Sequence, residues 1–287
     1  MKTTLTYSIP ALSPYMDWQY FSHMWKVPLP DMPSWSSATT EAKEEGQRLW
    51  QEATTLLQQL KGQNYSVRFR IALFDAYSEN EDIIVTDDEG HRHLIPFLRQ
   101  QHNISPNQPN LCLSDFIRPA ATGSTDKIGI FAAAVDPSME QENLSDSYLH
   151  LLTLSLCNML VEAATEKGHE QVRKHLWGYA ADENLSPAQL KASQYTGIRP
   201  AIGYPSIPDQ SINFIVDRLI DMESIGIQLT NHGAMTPKAS VSGFLFAHPK
   251  SRYFSVGKIT AQQLHDYAQR RGWSVEQMKP YLAANLS

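Results

Sequence analysis

The sequence predicts a mixed α+β fold with an antiparallel sheet and a helical middle section. Alternating apolar stretches gather in two places, around residues 65–135 and around 240–259. Between them, residues from about 140 to 195 read almost wholly as helix, and strands and helices never alternate in the regular order of a doubly wound sheet.

Taken in order, Ser13-Pro14 followed by Tyr15, Trp18, Phe21 and Trp25 predicts a capped amphipathic helix carrying Asp17. A Pro-rich connector covers Val27 to Ser37. Thr40 to Lys61 repeats Leu49, Ala53, Leu56, Leu57 and Leu60 at helical spacing, with Gly62 as a stop. Tyr65 to Phe74 alternates as a strand does. Ile83–Val85 and His93–Ile95 flank Asp87-Asp88-Glu89-Gly90 as a hairpin, and Ile128 to Val135 is a further strand. A long helix is predicted from Ser145 to Thr165, a second piece from His169 to Trp177, and a third opening at Ser186-Pro187. Ile212 to Met222 is helical, Ser240–Phe246 and Tyr253–Ile259 read as two strands, and helices over Thr260–Arg271 and Ser274–Leu282 close the chain.

At 287 residues with 42% hydrophobic and 19% charged side chains, the chain can bury a sizeable core as one large domain or two modest ones. A net charge of −6 without a basic stripe argues against nucleic acid as a partner. No apolar run reaches membrane-spanning length and the N-terminus lacks a signal-peptide pattern. Cys112 and Cys157 alone make neither a disulfide framework nor a four-cysteine metal site, which fits a reducing cytoplasm. Glycine-rich phosphate loops, a His-Glu-x-x-His zinc motif and a nucleophile elbow are all absent. His91 and His93 share a strand face without an evident third ligand and read as solvent-facing; His169 and His175 read as structural.

The stretch Arg199-Pro200-Ala201-Ile202-Gly203-Tyr204-Pro205-Ser206-Ile207-Pro208 is the most distinctive in the chain. Prolines fix φ and remove donors, Gly203 permits a strained turn, and Arg199 presents a planar fork suited to a carboxylate or phosphate. Small residues at Ala239, Ser240, Ser242 and Gly243 would let another backbone or a flat ligand come close.

In the order Trp177-Gly178-Tyr179, Glu183-Asn184-Leu185-Ser186, Arg199-x-x-x-Gly203-Tyr204-Pro205, Ala239-Ser240-Val241-Ser242-Gly243 and Asp266-Tyr267-Ala268-x-Arg270-x-Gly272, these motifs resemble the activation domain of cobalamin-dependent methionine synthase. Asp17-Trp18, the Leu111–Phe116 stretch and Ile128-Gly129 extend the likeness thinly into the N-terminal half. The resemblance implies one module over 1–287, a C-shaped α+β unit with a twisted antiparallel sheet, flanking helices and a helical subsection over about 140–195.

The resemblance further implies a module that binds S-adenosylmethionine and serves the reductive remethylation of an oxidised cobalamin, with a flavodoxin or similar reductase as electron donor. Arg199 would take the ligand's carboxylate and Asp17 its ammonium, with Glu162 nearby. Tyr253 and Phe254 would lie beside the ligand, and Gly203, Tyr204 and Ser206 would offer contacts to the adenosine. No side chain need act as a nucleophile, and the cleft is expected to be shallow and exposed so that a corrin can reach the methyl group.

The cobalamin motif Asp-x-His-x-x-Gly does not occur in these residues, which implies a free-standing module acting on cobalamin held by a separate, cytoplasmic methionine synthase that lacks its own activation domain. Asn231-His232-Gly233, Ser206-Ile207 and Ser193 depart from the family pattern. A docking subunit that keeps the fold without the ligand, or service to another corrinoid methyltransferase, fits the same motifs.

Overall fold

The computed structural model describes residues 2–101 and 109–286. Strand β1 (Lys2–Ser8) runs into one helical turn, α1 (Ile9–Leu12), and a 3-10 turn at Ser13–Tyr15. The single helix expected from Ser13 to Trp25 is therefore divided, because Met16 is extended. The second piece, α2 (Trp18–Trp25), starts at Asp17, whose Oδ1 accepts from the N–H groups of Gln19 (3.0 Å) and Tyr20 (3.3 Å). Such a cap contributes about 1 kcal/mol.

Helix α3 (Thr40–Gly62) buries the predicted Leu49, Ala53, Leu56, Leu57 and Leu60, and Thr39 caps it through the N–H of Ala42. Strands β2 (Ser66–Glu79), β3 (Asp82–Thr86), β4 (Arg92–Pro96) and β5 (Asp126–Val135) follow. In the β3–β4 turn, Asp87 accepts from the N–H groups of Glu89 and His91 and lies 2.8 Å from His93 Nε2, so both histidines brace the hairpin.

Helix α4 (Ser147–Gln171) continues into a widened turn over Val172–Leu176. The expected break between Thr165 and His169 does not occur. Gly168, between the two predicted pieces, is a packing glycine: an added Cβ would stand 2.7 Å from the Phe69 ring. Helix α5 (Pro187–Lys191) opens with a reciprocal cap between Ser186 and Gln189. Then come α6 (Asn213–Ile220), the short pair β6 (Gln228–Leu229) and β7 (Met235–Thr236), β8 (Ser240–Leu245), α7 (Ala261–Arg271) and α8 (Val275–Met278). The final helical piece expected to Leu282 ends as a 3-10 segment, Lys279–Asn285.

The main sheet has six strands in the order β4-β3-β2-β5-β8, with β1 also on β2, and every pairing is antiparallel. Alternation along β2 and β5 sends side chains to two separate cores. Val67, Phe69, Ile71, Phe131 and Ala133 pack with α3 and α4, whereas Phe74, Ala76, Ile128, Ile130 and Ala132 pack with α6, α7 and the C-terminal segment. Cys112 lies in one core and Cys157 in the other, and burial pushes their thiols up to about 11 and about 12.

The second C-terminal strand expected over Tyr253–Ile259 does not form. That segment bonds instead to the Arg199 loop: Val256 N–H donates to the Pro205 carbonyl at 2.9 Å, and Ser206 Oγ bonds the Phe254 backbone. Prolines at 205 and 208 carry no N–H, so the loop cannot return the bonds a ladder needs. Among the described residues no helix is long and apolar enough to cross a membrane, and no cluster of three His, Cys, Asp or Glu is placed to hold a metal ion.

Candidate functional site

The Arg199 loop lies along the outer edge of β8. Ile198 and Phe246 exchange backbone hydrogen bonds at 3.0 Å, Ile202 N–H donates to Ser242 O at 2.9 Å, and Phe244 N–H donates to Pro200 O at 3.1 Å. The small-residue strand thus admits a backbone: a Cβ on Gly243 would stand 2.3 Å from the Pro200 carbonyl oxygen. This pairing fixes Arg199 against the α4 face of the sheet.

A cavity of about 490 Å³ opens there. Its walls include Phe131 and Val241 from the sheet, Glu162 and Thr165 from α4, Arg199, Tyr204 and Ser206 from the loop, and Tyr253 and Phe254 from the segment bonded to that loop. A second cavity of about 340 Å³ shares Glu162, Arg199 and Tyr204 with the first and adds Asp17, Glu166 and Lys191. Glu162 and Arg199 therefore sit where the two hollows meet, and the other charged groups line the second. Their combined size is that of a small-molecule site. Tyr204 (58% exposed), Tyr253 (51%) and Tyr20 (55%) stand out to solvent around the mouth.

Seven of the eight residues singled out from the sequence line these cavities: Asp17, Glu162, Arg199, Tyr204, Ser206, Tyr253 and Phe254. Gly203 does not. Its φ of +88° makes the turn, its N–H closes on Ile207 O at 2.8 Å, and it borders a different, outward groove with His232 and Tyr281. Its N–H is thus engaged within the loop. Ser206 is similarly committed, its hydroxyl stitching the loop to Phe254.

The residue that sequence reasoning missed is Glu166, one turn beyond Glu162 on α4. Its Oε2 lies 2.7 Å from Arg199 Nη1, while its Oε1 is buried without a hydrogen-bond partner. The same Nη1 donates to the Tyr195 hydroxyl at 2.7 Å, and Arg199 N–H donates to the Tyr253 hydroxyl at 3.0 Å. Burial opposes the charge on Arg199, yet Glu166 beside it, with smaller help from Tyr195, Tyr253 and Glu162, holds its pKa above the ordinary value. Burial pushes Glu162 up from the usual carboxylate range; Arg199 pulls it down and Glu166 pushes it further up. His169, fully buried below, is held neutral by burial and by the two guanidinium groups of Arg199 and Arg173.

Asp17 is half-exposed, 3.8 Å from Lys191, and commits Oδ1 to its helix cap. Its Oδ2 points to no hydrogen-bond partner among the described residues. Two cations, three carboxylates and an aromatic-apolar wall can together hold a zwitterionic amino-acid group joined to a flat ring system.

The family model for the vitamin B12-dependent methionine synthase activation domain matches residues 8–272. The chain is also similar to a solved structure, the MetH reactivation domain bound to AdoHcy, with a TM-score of 0.92 and 35% identity over 100% of this chain and 90% of that one.

Proposed function

As a member of the vitamin B12-dependent methionine synthase activation-domain family, this chain has a cleft that, we propose, binds S-adenosylmethionine and presents its methyl group to a cobalamin held outside these residues. The single observation that carries this is Arg199, paired with Glu166, standing with Glu162 where two cavities meet, with Asp17 lining the second and the apolar wall of Phe131, Val241 and Phe254 lining the first. The AdoHcy in the related crystal structure is the demethylated form of the same ligand.

In this reading Arg199 receives the ligand carboxylate through the part of its fork not taken by Glu166 and Tyr195, a charge-assisted bond. The ammonium finds the carboxylates of Asp17 and Glu162, and the buried, unpartnered Glu166 Oε1 leaves a further acceptor. Phe254 and Phe131 line the cavity on the adenosine side, and the exposed faces of Tyr204 and Tyr253 border the open side toward which the sulfonium points. Aromatic faces near a sulfonium add about 0.5–2 kcal/mol.

When bound, the corrin supplies the reduced cobalt that accepts the methyl group. The chain itself supplies placement: it holds the amino-acid end, shields the adenosine and leaves the methyl side open. A separate cobalamin-binding methionine synthase, with flavodoxin or a similar reductase as electron source, is the partner system we propose, and two separately buried thiols suit its reducing, cytoplasmic setting.

Calorimetry tests the ligand directly. S-Adenosylmethionine or S-adenosylhomocysteine is expected to bind the chain, and Arg199→Ala to weaken that binding by about tenfold or more. A chain that binds neither would leave the docking-subunit reading in its place. Reactivation in trans is tested by mixing the chain with a synthase fragment carrying oxidised cobalamin, an electron donor and S-adenosylmethionine. The methylcobalamin spectrum should appear only when this chain is present.

A further inference from the structure

Beneath Arg199 lies a buried column that the ligand site does not use. Arg173, wholly buried in the widened turn after α4, donates from Nε to both Glu183 oxygens at 3.1 and 2.9 Å and from Nη2 to Oε1 at 2.7 Å. Its Nη1 is buried without a hydrogen-bond partner. The guanidinium carbon stands 4.1 Å from the centroid of the Tyr195 ring. His169 meets that ring edge-on at 5.0 Å. At the ring's outer end the Tyr195 hydroxyl donates toward Ser193 Oγ at 3.4 Å and accepts from Arg199 Nη1 at 2.7 Å.

The backbone is shaped to bring these groups together. Val172 O accepts from Trp177 N–H, a bond one residue longer than in an α-helix, which widens the turn around Arg173. Gly197, at φ +91°, lets the next segment pass where a Cβ would meet Phe246 O at 2.4 Å and the Tyr179 hydroxyl at 2.9 Å. Two guanidinium groups so near each other each need an anion, and each has one: Glu183 for Arg173, Glu166 for Arg199. Tyr195 stands between the two pairs.

We infer that Tyr195, anchored over the Arg173–Glu183 pair, is a positioning residue that fixes the Arg199 fork for the ligand's carboxylate. This rests on the ligand reading above. A long arginine side chain free to rotate would have to be ordered each time a carboxylate arrives; a fork whose Nη1 is already held by both Tyr195 and Glu166 is ordered beforehand. The hydroxyl accepts from Nη1, which leaves the rest of the guanidinium for the incoming oxygens. The Trp177–Ser186 motifs, which no ligand contact explains, thereby acquire a role: Glu183 holds the base of the column.

The test uses two ligands that differ only at the carboxylate. Tyr195→Phe keeps the ring over Arg173 and deletes the hydroxyl. By calorimetry it should bind S-adenosylmethionine about tenfold more weakly. It should bind decarboxylated S-adenosylmethionine, which keeps ammonium, sulfonium and adenosine, as the unaltered chain does. Equal weakening toward both ligands, or no weakening toward either, overturns the inference while the ligand reading stands. Arg199→Ala serves as reference and should lose the preference for the carboxylate altogether. An unaltered chain that binds neither ligand overturns the reading and this inference with it.

Discussion

Arg199 Nη1 lies 2.7 Å from Glu166 Oε2, so the cation we propose for a ligand carboxylate already has a carboxylate partner within the fold. Both side chains are less than one-fifth exposed, and removing one partner leaves the other charge stranded where water reaches it poorly. Glu166→Ala is expected to cost about 3 kcal/mol of stability, read as a lowered urea midpoint with unchanged slope. A loss below about 1 kcal/mol would mean that solvent screens Arg199 as it does a surface ion pair.

Asp17 does two jobs that substitution can separate. Its Oδ1 caps α2 at Gln19 and Tyr20, and its charge faces the cavity beside Lys191. Asp17→Asn keeps a capping oxygen and loses the charge; Asp17→Ala loses both. Thermal unfolding should therefore show about 1 kcal/mol lost in the alanine variant and little in the asparagine one. Calorimetry with S-adenosylhomocysteine should show both weakened alike, by about tenfold. An asparagine variant that binds normally would remove Asp17 from the ammonium site.

Glu162 is pushed above its ordinary 4.5, chiefly by burial. The folded chain thus keeps this proton longer than the unfolded chain does. Its contribution to stability is complete below about pH 4.5 and is lost as pH rises through the raised folded value. Glu162→Gln, neutral throughout, should gain stability relative to the parent between acid and neutral pH, measured as urea midpoints across that range. A ligand ammonium favours the charged carboxylate, so affinity should climb over the same window in the parent and stay flat in the variant. Parallel pH curves for parent and variant would contradict both expectations.

At Gly243 the close approach is to backbone, which cannot swing aside: a Cβ there would stand 2.3 Å from Pro200 O and 3.0 Å from Ala201 Cα. Gly243→Ala should cost about 1–3 kcal/mol and, because β8 holds the Arg199 loop, weaken ligand binding as well. Gly62→Ala is the control. Nothing lies within 4 Å of its added Cβ, so it should be neutral or slightly stabilising in a melting experiment.

The sequence made the regular parts of this fold readable where one period ran uninterrupted. Helix α3 was bounded almost to the residue because its apolar stripe is sustained and Gly62 lies at its end. Strand β1 carries little sequence signal: of its seven residues, Tyr7 alone is buried. Tyr253–Ile259 alternates like a strand, but alternation does not reveal whether the neighbour has N–H groups to offer; here the neighbour is proline-rich. In the site, the Arg199 motif stood out by its unusual composition. Glu166 did not, since a glutamate four residues after another on a helix looks like solvated surface, and its partner lies thirty-three residues on. Arg173 and Glu183 were visible as motif letters only, because their contact depends on a turn widened by one residue.

The loop and the segment that lines the cleft beside it are joined at three points: Ser206 to Phe254, Pro205 to Val256, and Arg199 to Tyr253. Walls tied together in this way leave no hinge between them. Association with a small ligand should then proceed at a rate set by diffusion and orientation, with one exponential phase in stopped flow that speeds up linearly with ligand concentration. Residence time would be governed by how quickly the charged end lets go of its anchors, and not by the opening of a door.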